Sequence, residues 1–131
     1  MRDSEDYKLT IEPREGYLYT RIDADWVSLA MIVATFNEIF AALHAGDYRA
    51  LLFVRNCPLL STPENRRLVS ALVRNMVPEG AKIAVVDTYP HNSAAEKAAA
   101  SEATRAAGLD LMTFDSIEEA EGWLLTPESE A

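Results

Sequence analysis

Apolar and polar positions alternate in two stretches near the start of the chain, and this alternation predicts two strands. Tyr7, Leu9 and Ile11 fall on one side of a period-two segment, with Lys8, Thr10 and Glu12 on the other. Pro13-Arg14-Glu15-Gly16 then reads as a turn. From Tyr17 to Ile22, Tyr17, Tyr19 and Arg21 oppose Leu18, Thr20 and Ile22, so the short connection predicts an antiparallel hairpin. The period then changes. Trp26, Leu29, Ile32, Val33, Phe36, Ile39, Phe40 and Leu43 recur at spacings of three and four, the stripe of a long helix. Asp23 or Asp25 is expected to cap its start, and Gly46 its end.

The rest of the chain repeats a strand-then-helix rhythm. Ala50-Leu51-Leu52-Phe53-Val54 is a nearly continuous apolar run, the signature of a strand buried on both faces. A loop over 55–62 leads to a helix starting at Thr62-Pro63, where threonine supplies a cap and proline suits the first turn. Lys82–Asp87 is a second buried strand. Ser93 and Glu96 form a capping box that opens an alanine-rich helix reaching about Ala107. Leu109–Phe114 is the last strand, and Ser116 and Glu119 form a second box before a final helix with Ile117, Ala120, Trp123 and Leu124 inward. The expected order is ββαβαβαβα: a single-domain α/β fold with a mixed, mostly parallel sheet and flanking helices. Residues 1–6 read as a loose N-terminal tail, 7–125 as the domain, and 126–131 as a C-terminal tail.

Composition adjusts this picture only where it excludes. The chain has 131 residues, enough for one domain with a real core. Its formal net charge of −9 repels phosphate backbones and anionic lipid heads, which argues against nucleic acid and membrane surfaces as partners. The most apolar stretch, Trp26–Phe36, is too short to span a bilayer. Met1–Tyr7 is acidic and polar, unlike a signal peptide, and Cys57 is the only cysteine; both suit a cytoplasmic protein.

Sheets of this kind place ligands beyond the carboxyl ends of their parallel strands. That edge is expected to collect Arg55, Asn56, Cys57, Ser61 and Thr62, then Asp87, Thr88, Tyr89, His91 and Asn92, then Asp115 and Ser116. A thiolate nucleophile at Cys57 would need a lowered pKa and a cradle of backbone N–H groups, yet Pro58 follows and the loop has no glycine. No metal-ligand spacing, glycine-rich phosphate loop or dinucleotide fingerprint is present, so no metal or cofactor is expected and no catalytic residue is assigned. Ser61 and Thr62 lie where a phosphoryl group would meet a helix N-terminus, with Arg66 and Arg67 nearby as counter-charges.

The element order, the Ser61-Thr62 position and the closing Phe114-Asp115-Ser116-Ile117-Glu118-Glu119-Ala120 with Trp123-Leu124 resemble the SpoIIAA-like proteins, also described as STAS/SEC14-type domains. The resemblance spans about Tyr7 to Leu125. It implies a non-enzymatic module like the anti-sigma-factor antagonists, which bind a regulatory kinase and are switched by phosphorylation at the start of the helix after a central strand. That position here is Ser61 or Thr62, with Arg66 and Arg67 as partner contacts. The family's Asp-Ser-Ser-Gly stretch is replaced by Leu60-Ser61-Thr62-Pro63. The SEC14-type relatives imply an alternative, a carrier or sensor of a small apolar or lipid-like molecule, with Trp26, Leu29, Val33, Phe36 and Phe40 as the pocket wall. A third reading is an enzyme using Cys57, Asp87 and His91. Self-association through a sheet edge or the alanine-rich helix is a further expectation.

Overall fold

The computed structural model describes residues 2–3, 7–59, 62–78, 80–106 and 108–126. Five long strands and four helices follow the predicted order: β2 (Tyr7–Arg14), β3 (Tyr17–Ala24), α1 (Leu29–Ala45), β4 (Ala50–Asn56), α2 (Pro63–Met76), β5 (Lys82–Asp87), α3 (Ala94–Ala106), β6 (Asp110–Phe114) and α4 (Ile117–Leu125). A two-residue strand, β1 (Arg2–Asp3), adds to the outer edge within the segment read from sequence as a tail. The sheet runs β1-β2-β3-β4-β5-β6. β2 pairs antiparallel with β3, and β3 through β6 are parallel.

Each strand of the parallel part is reached from its sequence neighbour, so the three crossovers step the same way across the sheet. Crossovers of one hand then bring α1, α2 and α3 to one face. The core divides accordingly. On that face Leu51 and Phe53 join Leu9, Leu18, Ile22, Ile83, Val85 and Leu111 beneath Ile32, Phe40 and Leu43 of α1 and Val73 of α2. On the other face Ala50, Leu52 and Val54 join Tyr17, Tyr19, Ala84 and Val86 beneath Ala120 and Leu124 of α4. The alternation inside Ala50–Val54 thus feeds two separate cores, which is why the run has no polar member.

Two boundaries differ from the sequence expectation. β2 continues through Pro13, in register with Leu18, and leaves only Glu15-Gly16 as the turn. β1 reaches no further than Leu9, so the outer side of β2 is a sheet edge at Pro13, where a missing N–H costs no ladder bond. Gly16 has φ +89, and a Cβ there would fall 2.7 Å from Leu125 Cδ2, so the turn needs glycine. The start of α1 also moves. Neither Asp23 nor Asp25 caps it; Ser28 does, accepting the N–H of Met31 at 3.1 Å. Asp23 instead pairs across the sheet and takes hydrogen bonds from Arg21 and Asn56. Trp26 therefore precedes the helix and is half-exposed.

The other caps follow the sequence. Thr62 accepts the N–H of Asn65 at 3.1 Å, with Pro63 in the first turn of α2. Ser93 and Glu96 exchange reciprocal bonds of 3.1 and 2.9 Å at the head of α3. Most alanines of α3 are exposed, so they serve helix propensity more than close packing. His44, at the C-terminal end of α1, donates Nε2–H to the carbonyl of Met76 at 2.6 Å and ties α1 to the end of α2.

Candidate functional site

The carboxyl edge of the parallel strands holds a hydrogen-bonded cluster centred on Asp87. Arg55 and Asp87 are partners in the β4–β5 register, so their side chains emerge side by side at the strand ends. Arg55 Nη1 donates to Asp87 Oδ2 at 2.9 Å, and the Asp87 side chain is only 6% exposed. The same carboxylate accepts the Tyr89 N–H at 3.0 Å and Asn92 Nδ2 at 3.0 Å. Asn92 also donates to the Cys57 carbonyl and accepts the Leu59 N–H. One buried carboxylate thereby organises both the loop after β4 and the loop after β5. A neighbouring group completes the edge: Asn56 Nδ2 donates to Asp23 Oδ1 at 2.7 Å, and Arg21 donates to both oxygens of Asp23. Burial works to raise the Asp23 pKa, but the hydrogen bonds from Arg21 and Asn56 outweigh it and leave the pKa lowered.

This cluster lacks the character of a nucleophilic site. The Cys57 side chain is buried, and burial pushes its thiol up to about 12 against the small opposing effect of Arg55. A thiol held neutral is a packing group. His91 is exposed and meets the Tyr89 ring edge-on at 5.4 Å between centroids. Asp87 is occupied by Arg55, Tyr89 and Asn92. Among the described residues no group of three or more His, Cys, Asp or Glu side chains is placed to hold a metal ion. No helix among them is long and apolar enough to cross a membrane.

Of the residues singled out from the sequence, Thr62, Arg66 and Arg67 fall on the first turns of α2. Thr62 is exposed, its hydroxyl serving as the helix cap. Ser61 lies outside the described residues. Arg66 and Arg67 line an open groove between α2 and α3, together with Arg74, Ser70, Ala99 and Glu102. Three guanidinium groups and one carboxylate share this groove, in a chain of net charge −9. Arg74 was not among the sequence candidates. Its i+7 spacing from Arg67 puts both on one stripe, a signal that was available.

A second feature is a cavity of about 110 Å³ on the same face of the sheet, lined by residues of α1, α2 and α3. Phe36 and Phe40 of the expected pocket wall line it; Trp26, Leu29 and Val33 are not among its lining residues. The remaining wall is largely apolar, with Phe53, Cys57, Val69, Val73 and Leu111 among its members. Four polar residues reach it: Arg55, Arg66, Ser70 and Ser101. Neither serine was a sequence candidate. Each is a short hydroxyl on an otherwise ordinary helix, and nothing in the residue pattern distinguishes it from a solvent-facing one.

With its order of elements, its antiparallel strands at one edge before a parallel run, and its helix N-terminus beside the central strand, the chain has an STAS-like α/β fold. The particular likeness is to the crystal structure of an anti-sigma factor antagonist from Mycobacterium paratuberculosis, with a TM-score of 0.62 and 10% sequence identity over 95% of this chain and 98% of that one. No family model matches the sequence, and no curated protein matches it.

Proposed function

We propose that this chain is a non-enzymatic regulatory module that acts by binding a protein partner through the N-terminal half of α2. The observation that carries the reading is the end-to-end likeness to an anti-sigma factor antagonist. The exposed start of α2 beside central strand β4 adds to it, as does the neutral, buried thiol at Cys57. The partner is a kinase-like regulatory protein of the anti-sigma-factor kind. Ser61 or Thr62 is the phosphoacceptor, and Arg66 and Arg67 are contacts. A phosphoryl group on Thr62 would stand at the positive end of α2 with two guanidinium groups close in sequence, a setting that rewards added negative charge. The compartment is the cytoplasm, and self-association is a property of the free module.

The test is co-purification from the source cells with wild-type protein, Thr62→Glu and Arg67→Glu, with Lys97→Glu as a control on α3. A partner held by the wild type and the control but released by the α2 variants supports the reading. So does a phosphoryl increment mapped to Ser61 or Thr62 when that partner and ATP are supplied. Equal retention by all four proteins refutes it. A second reading, a carrier or sensor of a small apolar molecule, is supported by the cavity beneath α1–α3.

A further inference from the structure

The cavity beneath the helices carries a narrower inference than a general carrier role. Its volume of about 110 Å³ is well below the range of roughly 300–1,000 Å³ for drug-sized ligand sites. It is close to the cavity of about 150 Å³ that, lined by apolar side chains, takes up benzene. A phospholipid or long acyl chain does not fit; a single ring, or a chain of similar bulk, does. The lining agrees with this. Phe36 and Phe53 meet with centroids 5.4 Å apart, and Phe36 and Phe40 at 5.9 Å, giving a wall of ring faces and edges on one side. Val69, Val73, Val85 and Leu111 supply aliphatic surface on the others.

The polar members decide what else the occupant carries. Arg55 is already neutralised by Asp87 at 2.9 Å, so its charge does not call for an anion. Arg66 borders both the cavity and the open α2–α3 groove, which places it at the mouth. Ser101 differs. It is 9% exposed and lines the cavity from α3, a short hydroxyl side chain set in a mostly apolar wall. A hydroxyl in such a wall offers an occupant one hydrogen-bonding partner, worth about 1 kcal/mol net. Burying an ion against a mostly apolar wall would cost far more than burying a neutral head.

We propose that this cavity binds a small, uncharged, single-ring-sized molecule with one hydrogen-bonding head, the apolar body resting against Phe36, Phe40 and Val73 and the head meeting the Ser101 hydroxyl. The proposal rests on the reading of the cavity as a ligand site and adds the ligand's size, charge and orientation. It stands apart from the protein-docking reading of α2.

Phenol, benzene and benzoate serve as probes, titrated into the full chain and followed by two-dimensional amide and methyl NMR. Phenol is expected to shift signals of Val69, Val73, Ser101 and Leu111, and to bind more tightly than either benzene or benzoate. Ser101→Ala should weaken phenol about fivefold relative to benzene, the worth of one net hydrogen bond, and leave benzene itself unchanged. Val73→Phe fills the cavity and should abolish binding of all three probes; Ala100→Leu does the same from α3 should Val73→Phe fail to fold. Benzene binding with no preference for phenol, or a preference for benzoate, overturns the ligand class while the cavity stays a site. Absence of binding by every probe, or binding undiminished in the filled variants, overturns the site itself.

Discussion

Replacing Asp87 by alanine tests whether one buried carboxylate holds the loop edge together. Its side chain is 6% exposed and that of Arg55 17%, so the pair is largely removed from water. Breaking such a pair from one side costs about 3–5 kcal/mol, because the remaining charge loses its compensation. Here Asp87→Ala strands the Arg55 guanidinium, the Tyr89 N–H and one donor of Asn92 together. Arg55→Met should cost less, about 2–3 kcal/mol, since the carboxylate keeps Tyr89 and Asn92 as donors. The two changes should not add: with Asp87 already absent, removing Arg55 takes away a stranded charge, giving a coupling of about 1–3 kcal/mol. Urea unfolding followed by circular dichroism gives all four stabilities. In melting temperature the single Asp87→Ala loss corresponds to about 10–20 °C for a domain of this size. A cost below about 1 kcal/mol for Asp87→Ala, or strict additivity in the double variant, would refute the view of Asp87 as the organiser of both loops.

Three further outcomes are expected. Thr35 is fully buried on α1 and its hydroxyl lacks a partner among the described residues, so Thr35→Val should raise stability by about 1 kcal/mol in the same urea assay; a loss would mean that the hydroxyl is satisfied. Cys57, with its thiol pushed up to about 12, should react with iodoacetamide in the native state at least about a hundredfold more slowly than free cysteine at pH 8, and at the ordinary rate in urea. Asp23 has a lowered pKa in the folded state, so its contribution is present above the unfolded value and is lost as pH falls through the folded one. The stability difference between wild type and Asp23→Asn should therefore stay level from about pH 8 to pH 5 and shrink below about pH 4; a difference that persists undiminished into strong acid would contradict the Arg21 and Asn56 bonds.

The elements were legible because several local signals agreed at each one. Ala50–Val54 had the apolar run of a doubly buried strand, Thr62-Pro63 had both a cap and a first-turn proline, and Ser93 with Glu96 had a reciprocal box that the structure forms from both ends. The start of α1 misled because Asp23 and Asp25 are good caps by residue type. What removed Asp23 was competition from Arg21 and Asn56, the latter 33 residues away, and a local pattern cannot contain that. Trp26 fitted the helical stripe by spacing for the same reason and lies outside the helix. The site divided along the same line. Arg66, Arg67 and Thr62 could be placed because they sit on one helix, whereas the cavity comes from how far Phe36, Phe40, Val69 and Val73 fall short of filling the space between helices and sheet. That shortfall is a property of packing between three helices, invisible to a pattern that reports only which face is apolar.

The two readings of this molecule meet on α2. Arg66 and Ser70 line the cavity and also the α2–α3 groove that carries Arg67 and Arg74. A molecule seated beneath α2 thus presses on the inner side of a wall whose outer side is the surface proposed for docking. If the spacing of α2 and α3 differs between the partner-bound and free states, the cavity binds its ligand with different affinity in each, and linkage requires the ligand to change partner affinity by the same factor. A tenfold difference corresponds to about 1.4 kcal/mol, within reach of a small repacking of Val69 and Val73. Val73→Phe, which occupies the cavity permanently, should then shift the affinity of a partner that depends on Thr62 and Arg67 in the same direction as saturating phenol. Shifts of opposite sign, or a partner affinity indifferent to both, would mean that the cavity and the groove share residues without sharing a function.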